Sequence, residues 1–306
     1  MNSMEYKPKL KKIRIINRNS YNPNPKPSSK LLPGPSLYIP QSHILKDPSI
    51  SYSTNLNMNS KYKDKMEDVA LTISPFKQTS YDRKHHLFAI FDGHGSDESA
   101  LISKRQYPGI LLQCLKDNPI KIEECLKRSF IFLDHEAYIH KSISFGNTAT
   151  IVYLANKMLY CANVGDSKCV VITGAHKVIQ MSYEDSCDDP AERKRIESCG
   201  GYIMENRLNG VLAVTRAIGD FELKGKGLIS VPHIKKHLIE PDDLYCVIGS
   251  DGIWDVVDDD TLIEIMSECK NEKEFSKRLI DFSIENESTD NLSCIVIKFF
   301  KEENNL

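Results

Sequence analysis

Seven apolar runs of four to eight residues, each bounded by turn-forming residues, mark the chain beyond residue 68: 69–73, 87–91, 148–154, 158–162, 169–172, 245–248 and 292–299. Their length and punctuation predict strands. Asn156-Lys157 separates two of them at hairpin spacing, and Gly165-Asp166-Ser167 supplies the next turn, so residues 148–172 read as a meander. Helical spacing takes over at Ile122, Cys125, Leu126, Phe130, Leu133 and Ala137, where separations of three and four put the apolar side chains on one face. A shorter helix is predicted after Asp189, with Asp189 as N-cap, Pro190 in the first turn, Glu192 completing a capping box and Gly200-Gly201 as the stop. Residues 258–284 carry a further helical pair around Leu262, Ile265, Met266, Phe275, Leu279 and Phe282. Strands and helices in separate blocks predict an α+β sandwich rather than a doubly wound parallel sheet.

Residues 1–50 break this pattern. They hold eight of the fourteen prolines and no sustained periodicity, and nine Lys or Arg stand against Glu5 and Asp47, an excess of seven. The expectation is a flexible basic arm over 1–47, with KPKLKKIR solvated, then one catalytic domain over 48–300 and a tail over 301–306. The remaining 31 basic and 40 acidic residues leave the body at −9. That balance argues mildly against a nucleic-acid channel; clustered carboxylates can attract divalent cations, although solvated acidic faces are the commoner source of such an excess. Nine cysteines form no CxxC pair, and Cys161, Cys169, Cys246 and Cys294 lie inside apolar runs, as reduced core residues do. With no apolar stretch of membrane-spanning length, a soluble cytoplasmic or nuclear monomer is expected.

The chemistry lies where strands begin and end. Glu67 and Asp68 precede one strand, and Asp92, Gly93 and His94 follow another. Asp251 sits at a third strand end with Asp255 four residues on, and Asp290-Asn291 precedes the last strand. Strand ends of a sandwich can converge on one rim, and carboxylates gathered there need bound cations to offset their repulsion. Oxygen donors without a compact His or Cys set favour magnesium or manganese over zinc or copper. Two such ions sharing a carboxylate activate water and neutralise charge on a phosphoryl group under in-line attack. His94 is placed to protonate the leaving oxygen.

In chain order, KYKDKMED, FDGHG, GNTATIVYLANKMLYCANVGDS, RKRIESCGG, NGVLAVTRAIGD, SDGIWDVV and STDN resemble the protein phosphatase 2C, or PPM, family of metal-dependent serine/threonine phosphatases, over roughly residues 48–300. The resemblance implies two packed β-sheets flanked by antiparallel helices, acting on phosphoserine and phosphothreonine in protein substrates. It implies Asp92 bridging two ions, Glu67 and the Gly93 carbonyl completing one site, Asp251 and Asp290 completing the other, and Asp68 orienting the attacking water. Arg216 and Asp220 are structural in this comparison, fixing a loop near the site.

Five departures bear on the transfer. Lys63 stands where the family has an arginine that holds the substrate phosphate, keeping the charge without the bidentate fork. Ser96 replaces a glycine, and Glu287 stands where glycine is frequent. Glu184-Asp185-Ser186-Cys187 replaces an Asp-His-Lys-Pro segment, leaving either acid as a candidate for a weaker third metal position beside Asp251. The stretch from Asp220 to Val231 is brief, which implies a short flap. Two rival readings use the same residues: a pseudophosphatase binding module of this fold, and a two-metal phosphodiesterase or nuclease.

Overall fold

The computed structural model describes residues 50–76, 85–140 and 144–300. All of them belong to the second of two units of the chain, Gly34–Leu306; the expected arm at 1–47 and tail at 301–306 lie outside the described residues. The chain enters through β1 (Ile50–Asn57), β2 (Val69–Ile73), β3 (His85–Phe91) and the two-residue β4 (Gly93–His94), then turns into helices α1 (Glu98–Asp117) and α2 (Ile122–Ile139). It returns through β5 (Gly146–Asn147), β6 (Ala149–Ala155), β7 (Met158–Val164), β8 (Lys168–Thr173) and β9 (Val178–Gln180) to α3 (Pro190–Ser198). Short pieces follow: β10 (Ile203–Met204), β11 (Arg207–Leu208), β12 (Ile218–Gly219) and α4 (Phe221–Lys224). The last part runs β13 (His233–Leu238), β14 (Asp243–Gly249), α5 (Asp251–Trp254), α6 (Asp259–Glu268), α7 (Glu272–Glu285) and β15 (Leu292–Phe299).

Two antiparallel five-stranded sheets result, ordered β1-β15-β14-β8-β9 and β13-β7-β6-β3-β2. Their central strands read as unbroken apolar runs because both faces are covered. Phe88, Ile90, Val152 and Cys161 meet Cys169, Val171, Cys246, Ile295 and Ile297 between the sheets. On the outer face of one sheet, Leu87, Ala89 and Phe91 pack with Tyr107, Leu111, Leu126, Phe130 and Leu133 of α1 and α2. On the outer face of the other, Val247, Cys294 and Val296 pack with Leu262, Ile265, Phe275 and Leu279 of α6 and α7. This is the expected α+β sandwich, four layers deep, and all nine cysteines are free thiols.

Three differences from the sequence reading have physical reasons. The residues 165–167 do not close a meander: β7 stays in its sheet while β8 pairs with β14 and β9 in the other. A Gly-Asp-Ser turn signals a change of direction and says nothing of the sheet the next strand joins. Glu192 does not complete a capping box. Asp189 caps α3 through its bond from the Ala191 amide, but the Glu192 carboxylate is taken by Arg195, Thr215 and Arg216. Helix α1 escaped notice because Pro108-Gly109 interrupts it in sequence, although the helix continues through Pro108.

The register delivers the acidic motifs to one rim. Val69 pairs with Phe91, so Asp68 and Asp92 leave the same end of the β2–β3 ladder. Gly249 pairs with Cys294, so Asp251 leaves β14 where Asp290 approaches β15. Ala149 pairs with Val164, which puts the crossing segment Gly165–Ser167 at that end too.

Candidate active site

Asp92, Asp166 and Asp251 each offer a carboxylate oxygen within 4.8 Å of the others, the single such group of potential metal ligands among the described residues. Asp92 is fixed by its backbone, whose carbonyl accepts from the Thr148 amide at 2.8 Å. Gly93 has no room for a side chain: a Cβ there would lie 2.7 Å from the Glu67 carbonyl oxygen. Asp166 rides on the crossing between the sheets, where Gly165 adopts φ +96° and donates to the Asp185 carboxylate at 2.8 Å. Asp251 opens the short α5 after Ser250, whose hydroxyl leaves the helix end and donates to Asp68 Oδ2 at 2.8 Å.

Electrostatics mark the same group. Burial pushes the Asp92 carboxyl well above its usual range, and the charges of Asp68, Asp251 and Asp166 push it further. Asp251 is raised to about 7 by burial and by Asp166, Asp290 and Asp255. Asp166 is raised to about 6 by burial and by Glu184. Burial also raises Asp68 and Asp255. Crowded carboxylates with oxygen donors alone fit a hard divalent cation, which would relieve this repulsion.

Glu67 and Asp290 stand outside the triad. The Glu67 amide donates to Asn291 Oδ1 at 2.8 Å, and Asn291 Nδ2 holds the Met58 and Lys65 carbonyls, each at 2.9 Å. Buried Asn291 thus clamps the segment carrying Lys63, Glu67 and Asp68 to the start of β15. Lys63 forms an ion pair with Asp290. Burial opposes its charge, but the Asp290 bond and the carboxylates of Asp251 and Asp92 outweigh that and raise its pKa. His94 pairs in a three-stranded strip, β12-β5-β4, opposite Gly146, and its Nε2 lies 2.6 Å from Asp220 Oδ2.

Asp166 is the residue that sequence reasoning missed as a member of the acidic group. Asp185 is corrected in turn: fully buried, it lies 3.2 Å from Arg216 Nε and 3.1 Å from His233 Nε2, so it belongs to an internal ion network rather than to the rim. Arg216 also binds Glu192, with Nη2 to Oε1 at 2.7 Å, in keeping with a structural role. A cleft of about 340 Å³ beside Tyr202, Val211 and Lys226 reaches Asp220 but is lined by none of the three clustered carboxylates.

The family model for protein phosphatase 2C matches residues 52–292. The chain belongs to the protein phosphatase 2C family. Its catalytic domain is accordingly that of a protein serine/threonine phosphatase. "Probable protein phosphatase 2C 54" of Oryza sativa subsp. japonica is 31% identical over 227 residues, 70% of this chain and 62% of that protein. "Protein phosphatase 2C homolog 1" of Saccharomyces cerevisiae is 30% identical over 280 residues, 84% of this chain and 98% of that one. Among solved structures, a C. elegans sex-determining protein superposes with TM-score 0.74 at 27% identity, covering 83% of this chain and 66% of that one. A Toxoplasma gondii serine-threonine phosphatase 2C, at 16% identity and TM-score 0.72, shares the fold over 84% of this chain and 96% of its own. The family is metal-dependent, and Asp92, Asp166 and Asp251 form a group that could hold a metal ion. Among the described residues no helix is long and apolar enough to cross a membrane.

Proposed function

We propose that this phosphatase hydrolyses phosphoserine and phosphothreonine in protein substrates by direct attack of water, at a centre holding two divalent cations, magnesium or manganese. The observation that carries the reading is the group of Asp92, Asp166 and Asp251 at the convergent strand ends, where burial and mutual repulsion raise the Asp92 and Asp251 carboxyls. Asp92, shared by both cations, would hold them together with Glu67 and the Gly93 carbonyl and with Asp251 and Asp290. Asp166, rather than Asp185, is the candidate for a third and weaker position beside Asp251. When bound, the cations supply Lewis acidity: they activate water and neutralise charge on the phosphoryl oxygens.

The side chains divide the remaining work. Asp68, buried and held by Ser250, orients the attacking water. Lys63 attracts the substrate phosphate, at the cost of exchanging its Asp290 partner. His94 donates a proton to the departing seryl or threonyl oxygen. The enzyme acts as a monomer, in the cytoplasm, the nucleus or both.

A phosphothreonine peptide assayed with Mn2+ or Mg2+, with and without EDTA, tests this beside Asp92→Asn. Phosphate release should vanish in EDTA and fall on the order of 10²- to 10³-fold in the variant. Folded protein that binds Mn2+ without releasing phosphate would instead make the chain a binding module.

A further inference from the structure

We infer that Asp220 is a positioning residue for the acid step, holding His94 by Nε2 so that Nδ1 is the nitrogen left to face the leaving oxygen. The inference rests on the role proposed above for His94 and goes beyond it.

The geometry around Asp220 is built for this contact. Asp220 occupies the N-cap position of α4, where an aspartate ordinarily accepts from the helix amides, yet its side chain makes no capping bond. It adopts left-handed backbone angles, φ 51° and ψ 49°, uncommon for a residue with a side chain. It is 7% exposed, and its carboxylate is turned to His94 at 2.6 Å instead. A buried outlier that forgoes its local bond for a distant partner is held there by its surroundings.

Those surroundings are specific. The Asp220 amide donates to the Phe145 carbonyl at 3.0 Å. The preceding Gly219 amide donates to Asp134 Oδ1 on α2 at 2.9 Å, and Lys224 Nζ, itself buried, lies 2.9 Å from that same oxygen. Gly146 lies between the partners in the three-stranded strip, and a Cβ there would overlap both Asp220 Oδ2 and His94 Nε2. Helix α2, the strip and the loop before α4 thus converge on one hydrogen bond.

The chemical consequence is a fixed tautomer and ring orientation. With Nε2–H retained by Asp220, the proton transferred comes from Nδ1. As the P–O bond breaks, its electron pair stays on the seryl or threonyl oxygen, which takes that proton, and the imidazole is left neutral with its Nε2–H bond intact. An unoriented imidazole would sample other rotamers and present the acid less often.

The experiment compares two substrates that differ in their need for an acid. A phosphothreonine peptide expels a basic alkoxide, whereas p-nitrophenyl phosphate expels a stable phenolate. Full-length His94→Gln, Asp220→Asn and Asp220→Gly are assayed on both at saturating Mn2+, with thermal unfolding as the control for folding. Asparagine and glycine tolerate the left-handed angles, so loss of backbone fit does not confound the result. Both Asp220 variants should lose roughly 10- to 100-fold in kcat on the peptide, with KM within about twofold and p-nitrophenyl phosphate turnover within about threefold. Combining Asp220→Gly with His94→Gln should cost no more than His94→Gln alone. Equal losses on both substrates, or an unaffected peptide rate, would overturn the inference while a leaving-group split in His94→Gln left the acid itself standing. A His94→Gln variant without that split would remove the acid role, and the dyad with it.

Discussion

The carboxylates of Asp92, Asp166 and Asp251 and those of Asp185 and Glu192 are both drawn away from water, but the chain treats the two sets differently. The inner set is neutralised from within. Arg216 reaches both Asp185 and Glu192, Arg195 adds a second guanidinium, and Thr215 donates to Glu192 at 2.9 Å. Burial alone would raise Glu192, yet these partners bring it down to about 2; in Asp185 burial still outweighs His233 and Arg216, and its carboxyl stays raised, so within the inner set the counter-charges prevail at Glu192. The rim set has Lys63 nearby, but that lysine is paired to Asp290, and the rim carboxyls are pushed up instead, Asp251 to about 7. Glu192, with two guanidiniums of the chain's own, behaves as a strut, whereas the crowded rim carboxylates are a group that could hold a cation.

The sharpest way to break this contrast is to remove a cation from the inner set and a carboxylate from the rim, and to compare signs. Arg216→Ala leaves Asp185 and Glu192 without their shared partner, and about 3–5 kcal/mol of stability should be lost, read from urea unfolding in EDTA. Asp92→Asn, unfolded under the same conditions, should be at least as stable as the wild type because it relieves repulsion among like charges. If both variants destabilise alike, the rim is a strut as well, and the distinction fails.

Proton linkage sharpens the comparison with a smaller effect. Asp251 ionises near 7 in the folded chain against about 4 when unfolded, so the folded state holds a proton the unfolded state has released across that interval. Stability of the metal-free protein should therefore fall as pH rises from about 4 through 7. Glu192 runs the other way: its depressed pKa stabilises above its unfolded value near 4, and that contribution is lost as pH falls toward 2. Melting curves in EDTA should show the alkaline decline, and saturating Mg2+ should flatten it without touching the acid side. An unchanged decline in Mg2+ would show that the cation does not bind the rim.

Much of this contrast was legible in the residues themselves. The strand runs 69–73 and 292–299 have the bounds of β2 and β15, because apolar runs closed by turn residues leave little freedom in where a ladder starts. Asp92 and Asp251 stood out as acids at strand ends, and the structure brings them together. Asp166 did not, because Gly165-Asp166-Ser167 has the composition of an ordinary turn. Its chemistry depends on β8 joining the opposite sheet, a long-range choice that local sequence does not encode. Asp185 misled for the complementary reason: it looks like a ligand until Arg216, 31 positions on, is seen to reach it. Strands β1 and β13 were missed as edge strands whose polar alternation and lysines weaken the apolar signal.

The smallest expected effect concerns Lys63, which stands between the two regimes. It is a cation of the chain's own at the rim, but its partner is Asp290 and both side chains are partly exposed, at 32% and 38%. An exposed pair of this kind contributes at most about 1 kcal/mol, so Lys63 does not neutralise the rim as Arg216 neutralises the core. In the function proposed above its value lies in being exchangeable: a substrate phosphate would take the lysine once Asp290 is otherwise engaged. An arginine would present a planar fork able to hold two phosphate oxygens. Lys63→Arg should therefore lower KM for a phosphothreonine peptide by about three- to tenfold while kcat changes less than about twofold. Unfolding in EDTA should register the same substitution within about 0.5 kcal/mol. A change in kcat with KM unmoved would place Lys63 in the transition state rather than in phosphate capture, and the rim would then hold one permanent cation of its own.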